Sequence, residues 1–192
     1  MNIVNVGYKS THYFAIGSTG TPLLVDCGWP GTMPLLLATL KRFDIPLSAF
    51  QYLLVTHFHP DHAGLAQELK QAGLTLLVCE GQEPFIPQLK QWMKPEMHFH
   101  DITLHDNRAL PLAESRAFLK AIGIDGQVIA TPGHSDDSVS LILDSGDAFV
   151  GDLTSPVAVP EEHAATVAAS WEAIRAAGGR TIYHAHAPLR RI

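Results

Sequence analysis

Tyr52-Leu53-Leu54-Val55-Thr56-His57-Phe58-His59-Pro60-Asp61-His62 passes from an apolar run into four metal-ligand side chains within six positions. The run Tyr52–Val55 has the composition of a buried strand. Neutral imidazole and carboxylate are ligands for zinc and for borderline divalent transition metals. Alternate residues of an extended segment point the same way, so His57 and His59 can converge on one ion. Pro60 suits the first position of a helix, where its missing N–H costs nothing. Asp61 and His62 then fall in the first helical turn, where the helix dipole favours a carboxylate.

Three later strand ends deliver the same residue types. Thr131-Pro132-Gly133-His134 follows the strand-like Gln127–Ala130 and sets His134 in a Pro-Gly turn. Phe149-Val150-Gly151-Asp152 ends in a carboxylate, with Gly151 permitting close backbone approach. Thr181-Ile182-Tyr183-His184-Ala185-His186 ends in two more histidines. Gathering side chains at the carboxyl ends of strands is how α/β folds usually build a site.

Together with Leu24-Val25-Asp26-Cys27-Gly28, these stretches resemble the five motifs of the metallo-β-lactamase superfamily, in order and over nearly the whole chain. The resemblance implies an α/β fold, a four-layer αββα sandwich with a dinuclear metal site along one edge. It implies that His57, His59 and His134 hold a first metal ion. Asp61, His62 and His186 would hold a second, and Asp152 would bridge the two. The family pattern after the last strand favours His186 as the final ligand, with His184 as the alternative. Asp26 would hydrogen-bond a ligand histidine and fix its tautomer. The implied cofactors are two divalent ions, zinc first, with manganese or iron as alternatives.

The implied chemistry is hydrolysis. A bridging water loses its proton near neutral pH and attacks a carbonyl carbon, with Asp61 as the catalytic residue that orients it. Asp152 at the bridging position is similar to the glyoxalase II-like and lactonase-like branch, so the expected substrate is a small ester, thioester or lactone. The chain stops six residues after His186. That argues against hydroxyacylglutathione unless residues 85–105 or a partner subunit supply the contacts. One alternative is a mononuclear-iron oxidoreductase like the persulfide dioxygenases of this fold. Others are a phosphodiester or β-lactam hydrolase, and a scaffold without catalysis.

Composition narrows the classes. At 192 residues with 46% hydrophobic content, residues 1–192 are expected to form one domain. The formal charge of −6 leaves no basic footprint for nucleic acid. No apolar run is long enough for a bilayer, and the first residues lack the pattern of a secretory leader. A cytoplasmic protein with a small-molecule substrate is expected, and a homodimer is left open. Cys27 and Cys79 stand alone in apolar strands, as buried, reduced and inert thiols do.

Strand and helix patterns alternate along the chain. Strands are expected at Val4–Val6, Tyr13–Ile16, Leu23–Cys27, Leu74–Cys79, Val139–Leu143 and Ala148–Val150, with a turn at Ser18-Thr19-Gly20. Helices are expected from Thr32 to Phe43, Asp61 to Gln71, Glu114 to Ala121 and Glu161 to Ala177, and a Pro-broken one from Glu83 to Met93. His98 and His100 are expected on an exposed strand face. Phe85, Trp92 and Met93 are either a substrate lid or ordinary core. Asp136-Asp137-Ser138 is expected to cap or brace the His134 loop through side-chain to backbone hydrogen bonds, not to supply ligands.

Overall fold

The computed structural model describes residues 2–17 and 23–192; the expected Ser18-Thr19-Gly20 turn lies outside them. The chain divides into two compact units, Met1–Leu110 and Pro111–Ile192.

The first unit is built on a six-stranded sheet in the order β1-β2-β3-β4-β5-β6. Its strands are β1 (Asn2–Asn5), β2 (Phe14–Gly17), β3 (Leu23–Val25), β4 (Tyr52–Leu54), β5 (Thr75–Cys79) and β6 (Arg108–Leu110). The first three pair antiparallel, and β3 to β6 run parallel. The central strands are near-continuous apolar runs, as buried parallel strands are. Leu24, Leu53 and Leu76 pack with Leu36 and Leu40 of helix α1 (Met33–Arg42). Leu65 and Leu69, from the segment after the metal motif, complete that core.

Three expectations in this unit are corrected. The helix expected from Asp61 to Gln71 is two helices, α2 (Pro60–Ala63) and α3 (Ala66–Gln71). The break falls at Gly64. A Cβ there would lie 2.4 Å from the Pro30 ring and 2.5 Å from the Gly28 carbonyl oxygen, so the chain passes too close for a side chain. Glu83 to Met93 is not an α-helix but a pair of 3₁₀ turns, Glu83–Phe85 and Pro87–Trp92. Pro84 and Pro87 remove the donors that a continuous helix needs. His98 and His100 lie on no strand; both are exposed in an irregular segment, with His98 left-handed at φ 53°.

The second unit carries a five-stranded sheet in the order β11-β10-β9-β8-β7. Its strands are β7 (Gly126–Ala130), β8 (Val139–Leu143), β9 (Asp147–Gly151), β10 (Thr181–His184) and β11 (Arg190–Arg191). The two expected strands β8 and β9 pair antiparallel, with Leu141 opposite Phe149. Helix α4 (Ser115–Ala121) precedes the sheet, and α5 (Glu161–Ala176) joins β9 to its parallel neighbour β10. Trp171, Val167 and Ile174 of α5 pack on Ile142, Val150 and Ile182. Among the described residues no helix is long and apolar enough to cross a membrane.

Candidate metal centre

Each unit carries its own group of ligand side chains. In the first unit, β4 ends at Leu54, and the extended His59 is the residue before α2, with Pro60 at its first position. This is the strand-to-helix passage expected from the sequence. The His57 and His59 rings stand 4.5 Å apart, and those of His57 and His62 4.1 Å apart. His57 and His62 are buried, and Asp61 and His59 are half-buried.

Asp26 organises this cluster. It follows β3 in a left-handed conformation, φ 60°, which Asp tolerates better than most residues. Its Oδ2 lies 2.9 Å from Nδ1 of His62. An ionised carboxylate only accepts, so His62 donates its Nδ1–H and keeps its lone pair on Nε2. The backbone N–H of Thr56 donates to Asp26 Oδ1 at 2.7 Å, and the Thr56 hydroxyl reaches Oδ2 at 2.9 Å. Buried Gln82 anchors the same turn by donating to the Val55 carbonyl at 3.0 Å. The Thr11 hydroxyl donates to Asp61 Oδ2 at 3.3 Å.

In the second unit, Asp152 gathers two histidines. Its Oδ2 stands 3.6 Å from His134 Nε2 and 3.3 Å from His186 Nε2. The His134 loop is fixed from α5, where Ser170 donates to the Pro132 carbonyl at 2.6 Å. Gly133 has φ 136°, and a Cβ there would meet Val167 at 2.6 Å, so this turn requires glycine. The Ser138 carbonyl accepts from Thr131 N–H at 2.8 Å, and the Ser135 hydroxyl donates to Asp137, so these bonds are backbone to backbone and side chain to side chain rather than the expected side chain to backbone. After Asp152, Trp171 Nε1 donates to the Thr154 carbonyl at 2.8 Å. His184 is buried, its ring 5.8 Å from that of Trp171. Burial lowers its pKa, assisted by the Arg190 cation and opposed by Asp152.

The donor set suits a divalent cation. Ligand bonds of about 2.0–2.2 Å put two donors on one tetrahedral ion roughly 3.3–3.6 Å apart. The separation of His62 Nε2 from Asp61 Oδ2 is 3.5 Å, and the two Asp152 contacts fall in the same interval. All three are longer than a good hydrogen bond. In the first unit the pair also sets a lone pair against a carboxylate oxygen, which a cation between them would relieve. His98 and His100 belong to no group of three or more ligand side chains among the described residues.

The family model for the metallo-beta-lactamase superfamily matches residues 6–186. The chain belongs to that superfamily. The chain is 28% identical over 141 residues to a probable metallo-hydrolase of Methanocaldococcus jannaschii, covering 72% of this chain and 65% of the relative. It is 29% identical over 145 residues to a hydroxyacylglutathione hydrolase of Rhodopseudomonas palustris, covering 72% of this chain and 46% of the relative. The chain thus spans less than two thirds of the length of these relatives. A beta-lactamase from Chitinophaga pinensis superposes with a TM-score of 0.73 at 20% identity, covering 96% of this chain and 75% of that one. The fold is therefore the α/β metallo-β-lactamase fold that the motifs implied.

Several site features of this superfamily member have no signal in the sequence. Thr11 lies 50 positions from the carboxylate it contacts. Gln82 is one glutamine among several, distinguished only by complete burial. Trp92 is 56% exposed, its ring 5.9 Å from His59, while Phe85 and Met93 pack against the first unit's core. The thiols are as expected: both are buried, burial raises Cys27 well above the usual range, and Cys79 is pushed up to about 12.

Proposed function

We propose that this chain is a metal-dependent hydrolase of small esters, thioesters or lactones, acting as a single domain that binds two divalent cations. In this reading His57, His59 and His134 hold one ion, Asp61, His62 and His186 the other, and Asp152 both. The observation that carries it is the Asp26–His62 bond, which fixes the His62 lone pair on the nitrogen facing Asp61. A metal ligand needs that tautomer, and a surface histidine does not. Bound there, the cations supply Lewis acidity, lowering the pKa of water toward neutrality and stabilising charge on a carbonyl oxygen.

The chain's own residues supply position and proton control. Asp61, held by Thr11, is placed to accept a hydrogen bond from the attacking water and aim it. The overall reaction adds water across the acyl bond: an oxygen–carbon bond forms, the acyl–oxygen or acyl–sulfur bond breaks, and the leaving alcohol or thiol takes a proton. The similarity to a probable metallo-hydrolase supports metal-dependent hydrolysis, and the similarity to a hydroxyacylglutathione hydrolase supports acyl transfer to water as the class. Trp92, exposed beside His59, suits an apolar part of such a substrate.

The test is metal analysis of protein purified without chelator, followed by a hydrolysis screen over thioesters, lactones, phosphodiesters and β-lactams. Two zinc or manganese equivalents with turnover of thioesters or lactones are expected. One iron with oxygen uptake on a persulfide, or no metal with no turnover, overturns the reading.

A further inference from the structure

A cavity of about 400 Å³ in the second unit is lined by His134, Asp152, Ser155, His184, His186 and Arg190, among others. This falls within the range of small-molecule sites. Arg190 is the one Lys or Arg among its lining residues. The residue sits on edge strand β11, paired to Ile182 of β10. Its guanidinium carbon lies 4.8 Å from the centroid of the buried Trp171 ring, and that ring is itself locked to the Thr154 carbonyl. The cation is thus held over a rigid surface.

Three other arginines of the second unit are engaged by protein oxygens. Arg116 pairs with Asp144, Arg175 with Glu172, and Arg180 donates to the Ser145 carbonyl. The Nε of Arg190 is buried without a hydrogen-bond partner among the described residues. Stacking on an indole engages one face of the guanidinium, and with Nε buried the two terminal Nη groups are the fork left for a ligand. That fork matches the two oxygens of a carboxylate. A buried, unused donor beside an open cavity is an arrangement a ligand completes.

We propose that Arg190 is the anion subsite of this cavity, so that the substrate is a small ester or thioester bearing a free carboxylate. The carboxylate lies against Arg190 while the scissile carbonyl lies toward His134 and Asp152. This deepens the hydrolase reading and rests on it for the word substrate, but the anion site itself can be measured without turnover.

Two measurements on the metal-reconstituted protein decide the matter. The first compares 4-nitrophenyl hemiglutarate with its neutral methyl ester. Wild type is expected to favour the anionic ester. Arg190→Gln should raise KM for it roughly 10- to 100-fold, the loss expected for a hydrogen bond to a charged group, with a much smaller rise for the neutral ester. Arg190→Lys, which keeps the charge and loses the fork, should fall between. The second is calorimetric titration with glutarate and with glutaramide, alongside metal content and melting temperature. Glutarate should bind wild type more tightly than glutaramide, and Arg190→Gln should remove the difference. Equal KM changes for both esters, no anionic preference in wild type, or undiminished glutarate binding to Arg190→Gln each overturn the proposal. Hydrolysis of neither ester by metal-loaded wild type overturns the hydrolase reading instead, and lost glutarate binding in Arg190→Gln would still uphold the anion subsite. Should Arg190→Gln not fold, the lysine variant and the wild-type preference decide.

Discussion

The two units hold their ligand side chains by different means. In the first, a buried carboxylate that is not itself proposed as a ligand fixes the cluster. Asp26 receives bonds from the Thr56 backbone, the Thr56 hydroxyl and His62. In the second, Asp152 is both proposed ligand and organiser, and its partners are open to solvent: the side chains of His134 and His186 are 30% and 40% exposed. Helix α5 also holds the loops there, through the carbonyls of Pro132 and Thr154. The lesson is that a bond to a ring fixes a tautomer, whereas a bond to a loop carbonyl fixes only the place from which a ring extends. Metal binding should therefore be more sensitive to outer hydrogen bonds in the first unit.

The largest expected effect comes from removing a proposed ligand. His59→Ala should lower metal content and reduce hydrolysis to background, beyond the roughly 10- to 100-fold that follows loss of an outer hydrogen-bond partner. Inductively coupled plasma mass spectrometry alongside initial rates checks this. Full metal content with undiminished turnover would remove His59 from the centre and leave His57, Asp61 and His62 as the first unit's share of it.

The next two variants compare the bracing directly. Asp26→Asn keeps the size of the side chain but leaves one acceptor oxygen where the Thr56 N–H and the His62 Nδ1–H use two. A roughly 10- to 100-fold loss of metal affinity or activity is expected. Ser170→Ala removes one bond to the Pro132 carbonyl, worth about 0.5–1.5 kcal/mol, and should lower stability by that amount with a smaller change in metal affinity. Competition with a fluorescent chelator, together with thermal unfolding, separates the two. If Ser170→Ala weakens metal binding as much as Asp26→Asn does, the contrast between the units fails.

Much of the centre was legible because its signals are local. A strand that ends in His-x-His, then Pro at the first helical position, then Asp-His, fixes spacing and direction within one short segment. That is why β4, α2 and the ring cluster lie where the sequence put them. The role of Asp26 was legible only through the family resemblance, since its partner lies 36 positions away. The break between α2 and α3 was not legible. Gly64 has an ordinary helical φ of −62°, and what excludes a side chain there is the passage of Gly28 and Pro30, a contact set by tertiary packing. The place of Arg190 was not legible either. Its stacking on Trp171 depends on β11 pairing with β10, which two residues of strand do not announce.

That gap suggests a further stability test. Gly64→Ala should destabilise the first unit by about 1–3 kcal/mol, the usual range for overpacking, read as a lower urea midpoint. An unchanged midpoint would mean that Pro30 and Gly28 yield to a methyl group, and that the break has another cause.

The smallest effect expected is at Thr11, where one hydroxyl supports Asp61. Its bond to Oδ2 is 3.3 Å, beyond the usual range for hydroxyl donors, so it contributes less than a well-formed charged bond. Thr11 is buried, and valine replaces the hydroxyl with a methyl group of similar size. Thr11→Val should therefore leave the fold intact and cut kcat only about two- to fivefold, with KM little changed. A drop in kcat as large as that of Asp26→Asn would show that aiming Asp61, rather than fixing His62, is the main demand on the first unit. No change at all would mean that Asp61 is held by the cations alone, and that direct bracing in this unit stops at the histidines.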